Sequence, residues 1–270
     1  HFSPIPDTWF KMLNILRFWA GKGVDGFRCD MAHMVPVEFW QWAISQVKEK
    51  YPDIKFIAEL YDVHIYRDYI YRGGFDYLYD KVNLYDTLRG IQCHNISAAQ
   101  ITGCWQTVEG IAHHMLNFLE NHDEQRFASR EYAGNAHLVL PSLVVAATIN
   151  NGPMMIYAGQ ELGERAEDAE GFSGRDGRTT IFDYWGVKTL QRWYNNGKCN
   201  YDHLSADEIQ LRETYATLLK LATREKAICK GSFFDVMYVN YNNPTFNPHN
   251  VYTYIRVYAG SSLNTFTSMC

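Results

Sequence analysis

Three apolar runs in this 270-residue chain each stop on a carboxylate: Gly26-Phe27-Arg28-Cys29-Asp30, Phe56-Ile57-Ala58-Glu59 and Phe118-Leu119-Glu120-Asn121-His122-Asp123. Each is followed by a helical or loop segment, so each reads as a strand that delivers an acid at its carboxyl end. Such strand–helix alternation argues for βα units around a parallel sheet. Acids at the C-terminal strand ends fit the active face of a (β/α)8 barrel of the TIM type. Three carboxylates from three separate strand ends point to one shared site.

Parity refines the placement, because alternate side chains of a strand face opposite ways. Arg28 and Asp30 share a face, with Phe27 and Cys29 on the other, so Cys29 reads as a packing residue of the outer face. Glu59 shares the face of Ile57, opposite Phe56, Ala58 and Leu60. Asn121 and Asp123 share a face opposite Glu120 and His122 unless the strand has already become loop, and parity leaves open which acid of that run enters the site. A guanidinium two residues before a carboxylate fixes its rotamer and keeps it ionised, as a nucleophile requires. Two carboxylates flanking a sugar linkage are the usual machinery of glycoside hydrolysis, and a third can stabilise the cationic transition state.

The periodicity predicts a helix capped by Asp7 and running to about Ala20, a strand over 24–29 and a helix over 37–51 opened by Pro36. A strand over 55–59, a helix around 63–71, a short strand over 75–79 and helical stretches around 81–91 and 97–108 follow. Then come a strand over 114–119, a helix over 135–150, a strand over 153–157 and an amphipathic helix over 207–226. Residues 233–241 and 251–258 alternate like antiparallel strands around Asn242-Asn243-Pro244, while those after Gly260 lack strand alternation. The domain expectation is a barrel portion over 1–228 and the start of a C-terminal β domain over 229–270.

Composition narrows the classes further. A net charge of −5 offers no broad attraction to nucleic acid or anionic membrane, and no apolar run reaches membrane-spanning length. The six cysteines include no Cys-x-x-Cys pair, which argues against a zinc ribbon or disulfide scaffold. Location is left open between cytoplasm and periplasm or exterior, since His1 does not read as a native start.

Gly-Phe-Arg-Cys-Asp (26–30), Ile-Ala-Glu (57–59) and Glu-Asn-His-Asp (120–123) together resemble conserved regions of the α-amylase family, glycoside hydrolase family 13. The stretches 152–161 (Gly-Pro-Met-Met-Ile-Tyr-Ala-Gly-Gln-Glu) and 177–185 (Gly-Arg-Thr-Thr-Ile-Phe-Asp-Tyr-Trp) match its habits too, in family order, over roughly residues 10 to 240. The resemblance implies Asp30 as nucleophile, Glu59 as general acid/base and Asp123 as transition-state stabiliser, with Arg28 and His122 in supporting, substrate-binding roles. It implies a retaining α-glucan hydrolase acting on α-1,4 bonds of starch, glycogen or maltooligosaccharides. Transglycosylation and sugar isomerisation use the same carboxylates and remain alternatives. A non-catalytic transporter-associated relative is disfavoured by the presence of all three acids. A phosphate-handling barrel is disfavoured by the acid-bearing Gly-Gln-Glu-Leu-Gly run where a phosphate loop would lie.

Against the family's eight units only about five are found. Aligned on the resemblance, residue 1 falls just before the third helix, so three strands, the earlier Asp-Asn-His region and the inserted domain are expected to be missing. The chain therefore reads as a fragment of a larger enzyme, poorly active or inactive by itself and prone to associate through exposed sheet edges. No cofactor is assigned to it. Calcium is left to a full-length parent, because Asp30-Met31-Ala32-His33 lacks the Lys-His pair of calcium-dependent relatives, and His33 reads as a loop or core-edge residue. His113-His114, read as strand neighbours facing opposite ways, carries no metal expectation. The acids between Glu161 and Glu170 read as a solvated loop at the cleft rim, offering at best a weak cation site. The glycine-rich run 171–178 lacks the Lys-Ser/Thr end of a nucleotide loop. Tyr184, Trp185, Trp193, Tyr194 and Tyr201 read either as sugar-stacking faces or as packing for the last barrel helix.

Overall fold

The computed structural model describes residues 2–182 and 186–259, and the backbone of 264–269. Tyr184 and Trp185 of the stacking candidates, with Asp183, lie outside the described residues. Helix α1 (Asp7–Ala20) leads into β1 (Gly26–Cys29), followed by α2 (Val37–Lys50), β2 (Lys55–Ala58), α3 (Tyr66–Tyr71) and β3 (Tyr77–Tyr79). Next come α4 (Asp86–His94), α5 (Ile101–Thr107), β4 (Met115–Phe118), α6 (Leu140–Thr148) and β5 (Met154–Met155). Asp7 is the first helical residue and not the expected cap. Pro6 occupies the cap position without a side-chain hydrogen bond, and Asp7 instead puts its charge against the positive end of the helix. Pro36 stands in the same place before α2.

The five strands form one parallel sheet in chain order, β1-β2-β3-β4-β5, curled into a half-barrel. This is the expected partial (β/α)8 architecture. The parity expectation for the first two strands holds. Arg28 lies opposite Ile57 in register, while Phe56, Ala58, Leu78 and Cys29 pack with α1, α2 and α3 in one core cluster. Ile57 and Tyr79 pack in the other cluster, with Phe118, Leu143 and residues of later helices. Gly152 lets β5 close onto β4, since a Cβ there would collide with the carbonyl oxygen of Met115. The sheet ends at β1 on one side and β5 on the other, and α1 leaves Phe10, Ile15, Phe18 and Trp19 exposed.

Beyond the half-barrel, α7 (Lys188–Tyr194), α8 (Ala206–Arg224) and α9 (Lys226–Cys229) precede a second, antiparallel sheet. Ser205 and Glu208 form a reciprocal capping box at the start of α8. The second sheet has the order β6 (Ser232–Asp235), β7 (Val251–Val257), β8 (Asn264–Met269). Two expectations need correction here. The strand expected over 233–241 ends at Asp235, whose carboxylate accepts from the Met237 amide and turns the chain into helix α10 (Met237–Asn240). Residues 264–269 do form a strand, because the free edge of β7 supplies backbone partners that outweigh a weak apolar pattern.

Two polar clusters, one half-buried around Asp235 and one buried around Arg256, bind this sheet to the half-barrel. Asp235 accepts hydrogen bonds from Thr102 (2.6 Å), Trp105 (3.0 Å) and Tyr252 (3.0 Å), which joins β6 and β7 to α5. Arg256 is buried and donates to the carbonyl oxygens of Ile149, Ala227, Ile228 and Gly231 and to the Asn151 side chain. Its burial among these uncharged acceptors lowers the guanidinium to about 10, with smaller opposing contributions from Tyr254 and Cys229.

Asp80, after β3, is buried, and among the described residues Asn83 and the Leu84 amide are its donors. Burial raises it from 3.8 to about 7 against those two bonds. The folded state therefore favours protonated Asp80. Its contribution to stability is full below about 4 and is lost as pH rises towards 7, at up to about 1.4 kcal/mol per pH unit. In Asp80→Asn this slope is expected to vanish from urea unfolding curves measured across that window, and an unchanged slope would refute the assignment.

Candidate active site

Asp30 follows β1 and Glu59 follows β2, and one side chain joins them. Arg28 Nη1 donates to Asp30 Oδ1 at 2.6 Å, and Arg28 Nη2 forms an ion pair with Glu59 Oε1 at 2.9 Å. The two acids therefore lie within the reach of a single guanidinium, at the same end of the sheet. Burial would lower the Arg28 guanidinium, but Tyr79, Asp30 and the charge of Glu59 outweigh it and raise the group further above its ordinary range. The Arg28 guanidinium also lies over the Tyr79 ring, 5.4 Å from its centre.

The two acids differ sharply in access. The Asp30 side chain is 77% exposed and that of Glu59 only 2%. Glu59 Oε1 also accepts from the Tyr61 hydroxyl at 2.6 Å, and Oε2 accepts from the Met31 amide at 2.7 Å. Met31 reaches this position in the left-handed conformation (φ 42°, ψ 45°), an uncommon one for a residue with a side chain. The turn after it is secured by the Ala32 amide on the Glu59 carbonyl (3.0 Å) and by Trp40 Nε1 on the Ala32 carbonyl (3.0 Å). The strained backbone thus serves to aim an N–H at Glu59.

Asp123 lies in a loop, because β4 ends at Phe118 and strand parity no longer applies. Asn121 turns inward on its own backbone, accepting from the amides of Asp123 and Glu124, both at 2.9 Å. His122 Nε2 sits 3.2 Å from Asp123 Oδ2. Burial raises the Asp123 carboxyl, with the charges of Glu59 and Glu124 adding to it and His122 and Arg28 opposing. As pH falls, Asp123 takes up its proton earlier than a solvated aspartate would. Asp123, Glu59 and Arg28 thus act on one another electrostatically, and Asp30 is tied to the group through its ion pair with Arg28.

Glu120, which parity left in contention, is fully buried away from solvent. It accepts from Arg126 Nη1 (2.9 Å) and the Phe127 amide (2.7 Å), while Arg126 Nε donates to Thr179 and its guanidinium stacks 4.1 Å above Tyr157. Burial raises Glu120, and Arg126 offsets part of that rise. This pair fastens the loop bearing Asp123 to the segment after β5. Arg178 adds a second fastening, donating to the Asp123 carbonyl at 2.7 Å and to Asp176 at 2.9 Å. Arg126→Met leaves a buried carboxylate without its counter-charge and is expected to cost about 3–5 kcal/mol in chemical denaturation. Adding Glu120→Gln to it should recover part of that loss, and a harmless single variant would contradict the role.

The neighbouring segments differ from expectation. The acidic stretch is not uniformly solvated. Glu164 is buried and accepts from Thr189 and from the Arg165 and Ala166 amides, which together hold it below the usual carboxylate range despite its burial. Glu170 is buried as well, and burial raises it. His113 and His114 lie on a helical turn before β4, not in a strand, with ring centres 4.1 Å apart. Their relation is set by the turn, and His114 is anchored to the Asp76 carbonyl at 2.7 Å. Trp193 and Tyr201 both pack against Arg212 of α8, whereas Tyr194 is exposed. His33 is half-buried, its ring 5.7 Å from that of Tyr61. Among the described residues no group of three or more His, Cys, Asp or Glu side chains is arranged to hold a metal ion.

Tyr61, Met31, Arg126 and Arg178 escaped the reading of the sequence. Tyr61 had a usable signal, since a residue two after Glu59 in an extended segment shares its face. The Met31 contribution is made by the backbone and has no side-chain signature.

A family model described as the catalytic domain of alpha amylase matches residues 6–179. An alpha-1,4-glucan:maltose-1-phosphate maltosyltransferase of Cereibacter sphaeroides is 29% identical over 167 residues, covering 61% of this chain and 26% of that protein. The protein of the same description from Rhodospirillum rubrum is 46% identical over 55 residues, 20% of this chain and 8% of that one. The chain thus spans no more than about a quarter of the length of these relatives. In fold it is similar to a cyclomaltodextrinase (TM-score 0.71, 19% identity, 98% of this chain and 40% of that one). It is similar also to the cyclic alpha-maltosyl-(1→6)-maltose hydrolase of Arthrobacter globiformis (TM-score 0.69, 19% identity, 95% and 51%).

Proposed function

Since the chain belongs to the alpha-amylase family, we propose that it carries the reacting carboxylates of a retaining enzyme that transfers α-glucosyl units by double displacement. The observation that carries this reading is the single guanidinium of Arg28 spanning Asp30 and Glu59. Retaining enzymes need their two carboxyl groups about 5–5.5 Å apart, one to attack and one to shuttle the proton. Asp30, exposed and held by Arg28, attacks the anomeric carbon as the bond to the leaving oxygen breaks. Glu59 gives its proton to that oxygen. The resulting glycosyl ester on Asp30 is then opened by an acceptor hydroxyl, whose proton returns to Glu59. Asp123, with His122 beside it, hydrogen-bonds the sugar hydroxyls and stabilises the oxocarbenium-like state, and Arg28 assists in binding.

The acceptor separates transfer from hydrolysis. Transfer to an α-glucan is the first reading, because the curated relatives reported above are described as maltosyltransferases; hydrolysis of starch or maltooligosaccharides is the second. With the barrel complete, the protein is to be incubated with maltose 1-phosphate and a maltooligosaccharide, and separately with soluble starch alone. Products longer by two glucose units, with release of inorganic phosphate, are expected. Reducing sugar from starch without elongation would establish hydrolysis instead, and inertness towards both would favour a non-catalytic role.

A further inference from the structure

Glu59 is almost wholly out of solvent, yet the proposed reaction needs its proton at a glycosidic oxygen. The groups that touch its carboxylate are therefore the ones that set where that proton lies. Two of them, Arg28 and the Met31 amide, come from the β1 side of the site. The third, the Tyr61 hydroxyl, comes from the segment after Glu59 itself and makes the shortest contact, 2.6 Å. Oε1 carries the Tyr61 hydrogen bond and the adjacent charge of Arg28, which disfavours a proton there, whereas Oε2 meets only the Met31 amide among the described residues and is the oxygen with room for a proton.

We propose that Tyr61 is a positioning residue for Glu59, whose phenol holds Oε1 so that the transferable proton resides on Oε2. The inference rests on the reading of Glu59 as general acid/base. The His33 ring stands 5.7 Å from the Tyr61 ring and limits its swing. Met31, held in its left-handed conformation, fixes the opposite oxygen. Burial, the hydrogen bond to Glu59 and the charges of Glu59 and Asp123 raise the Tyr61 phenol well above its ordinary range, so it remains a donor throughout the working pH of such enzymes. Tyr61 is half-buried, and removing its hydroxyl alone leaves the ring to pack as before.

Two measurements test this. In the first, the tyrosines are labelled with ¹³C at the phenolic carbon and followed by magnetic resonance as pH is lowered. One resonance, absent in Tyr61→Phe, is expected to move as a carboxylate takes up its proton and to stay still in Glu59→Gln. A Tyr61 resonance indifferent to Glu59 overturns the contact. In the second, Tyr61→Phe is assayed with two donors in the protein with its barrel complete. The expected result is a loss of about tenfold or more in kcat on a maltooligosaccharide, the scale of one hydrogen bond to a charged group, with KM unchanged. Maltosyl fluoride, whose leaving group needs little acid help, should be turned over at close to the wild-type rate. Equal losses on both donors would mean a merely structural role and would overturn the proposal. The resonance experiment needs no turnover, so it decides the contact independently. An error in the reading of the reaction itself would appear elsewhere, as wild-type turnover of both donors by Asp30→Asn.

Discussion

With the barrel complete, Asp30→Asn is expected to lower kcat by at least roughly 10³-fold on any α-glucan donor, as removal of other enzymic nucleophiles does. The amide keeps the size of the carboxylate and can still accept from Arg28, but it lacks the charge that attacks the anomeric carbon. The side chain is mostly exposed, so stability should stay within about 0.5 kcal/mol of the wild type. The loss is therefore chemical and not a failure to fold. Intact-mass measurement after a slow 2-fluoro donor checks the same point by another route: the wild type gains one glycosyl unit and the variant gains none. Wild-type rates, or labelling of the variant, would show that Asp30 is not the nucleophile.

Glu59→Gln carries the second large effect, and its pattern differs. Loss of the general acid/base should cost roughly 10²–10⁴-fold on natural linkages and far less on a donor with an activated leaving group. Two hydrogen-bond donors, Tyr61 and the Met31 amide, and the charge of Arg28 converge on the two oxygens of Glu59. Glutamine offers one acceptor and one donor in their place, so it sets an N–H against an N–H or O–H. A loss of about 1–3 kcal/mol in stability should accompany the kinetic defect. Full activity on unactivated oligosaccharides would rule out the role. Unequal rates with a normal melting point would mean that the donors had rearranged around the amide.

Much of the fold could be read from the chain because its rules are local. Pro36 before an apolar stripe, Gly21 after another and the alternation in 55–59 each act within a few residues, and the strands and helices fall close to where those signals put them. The reading weakened where partners lie far apart in sequence. Nothing near Glu120 marks it as a core acid, because its counter-ion faces it only once the loop folds back over the end of β4. Parity was sound for Arg28 and Ile57, which lie within strands, and failed at 120–123, where the backbone had already turned. Residues 264–269 became strand because β7 had an edge to offer, a property of the neighbour and not of the segment. The Met31 amide could not have been found at all, since any residue carries one.

The place of Asp30 in the sheet has one more consequence. It follows β1, an edge strand of the described sheet, whereas Glu59 sits one strand further in, clasped from several sides. On the proposed chemistry, the attacking carboxylate stands at an edge of the described sheet and the proton donor inside it. A strand added to β1 would stand beside that carboxylate. Pairing at that edge would then change sugar turnover as well as sheet order, so the seam at β1 offers a place to cut and rejoin the enzyme.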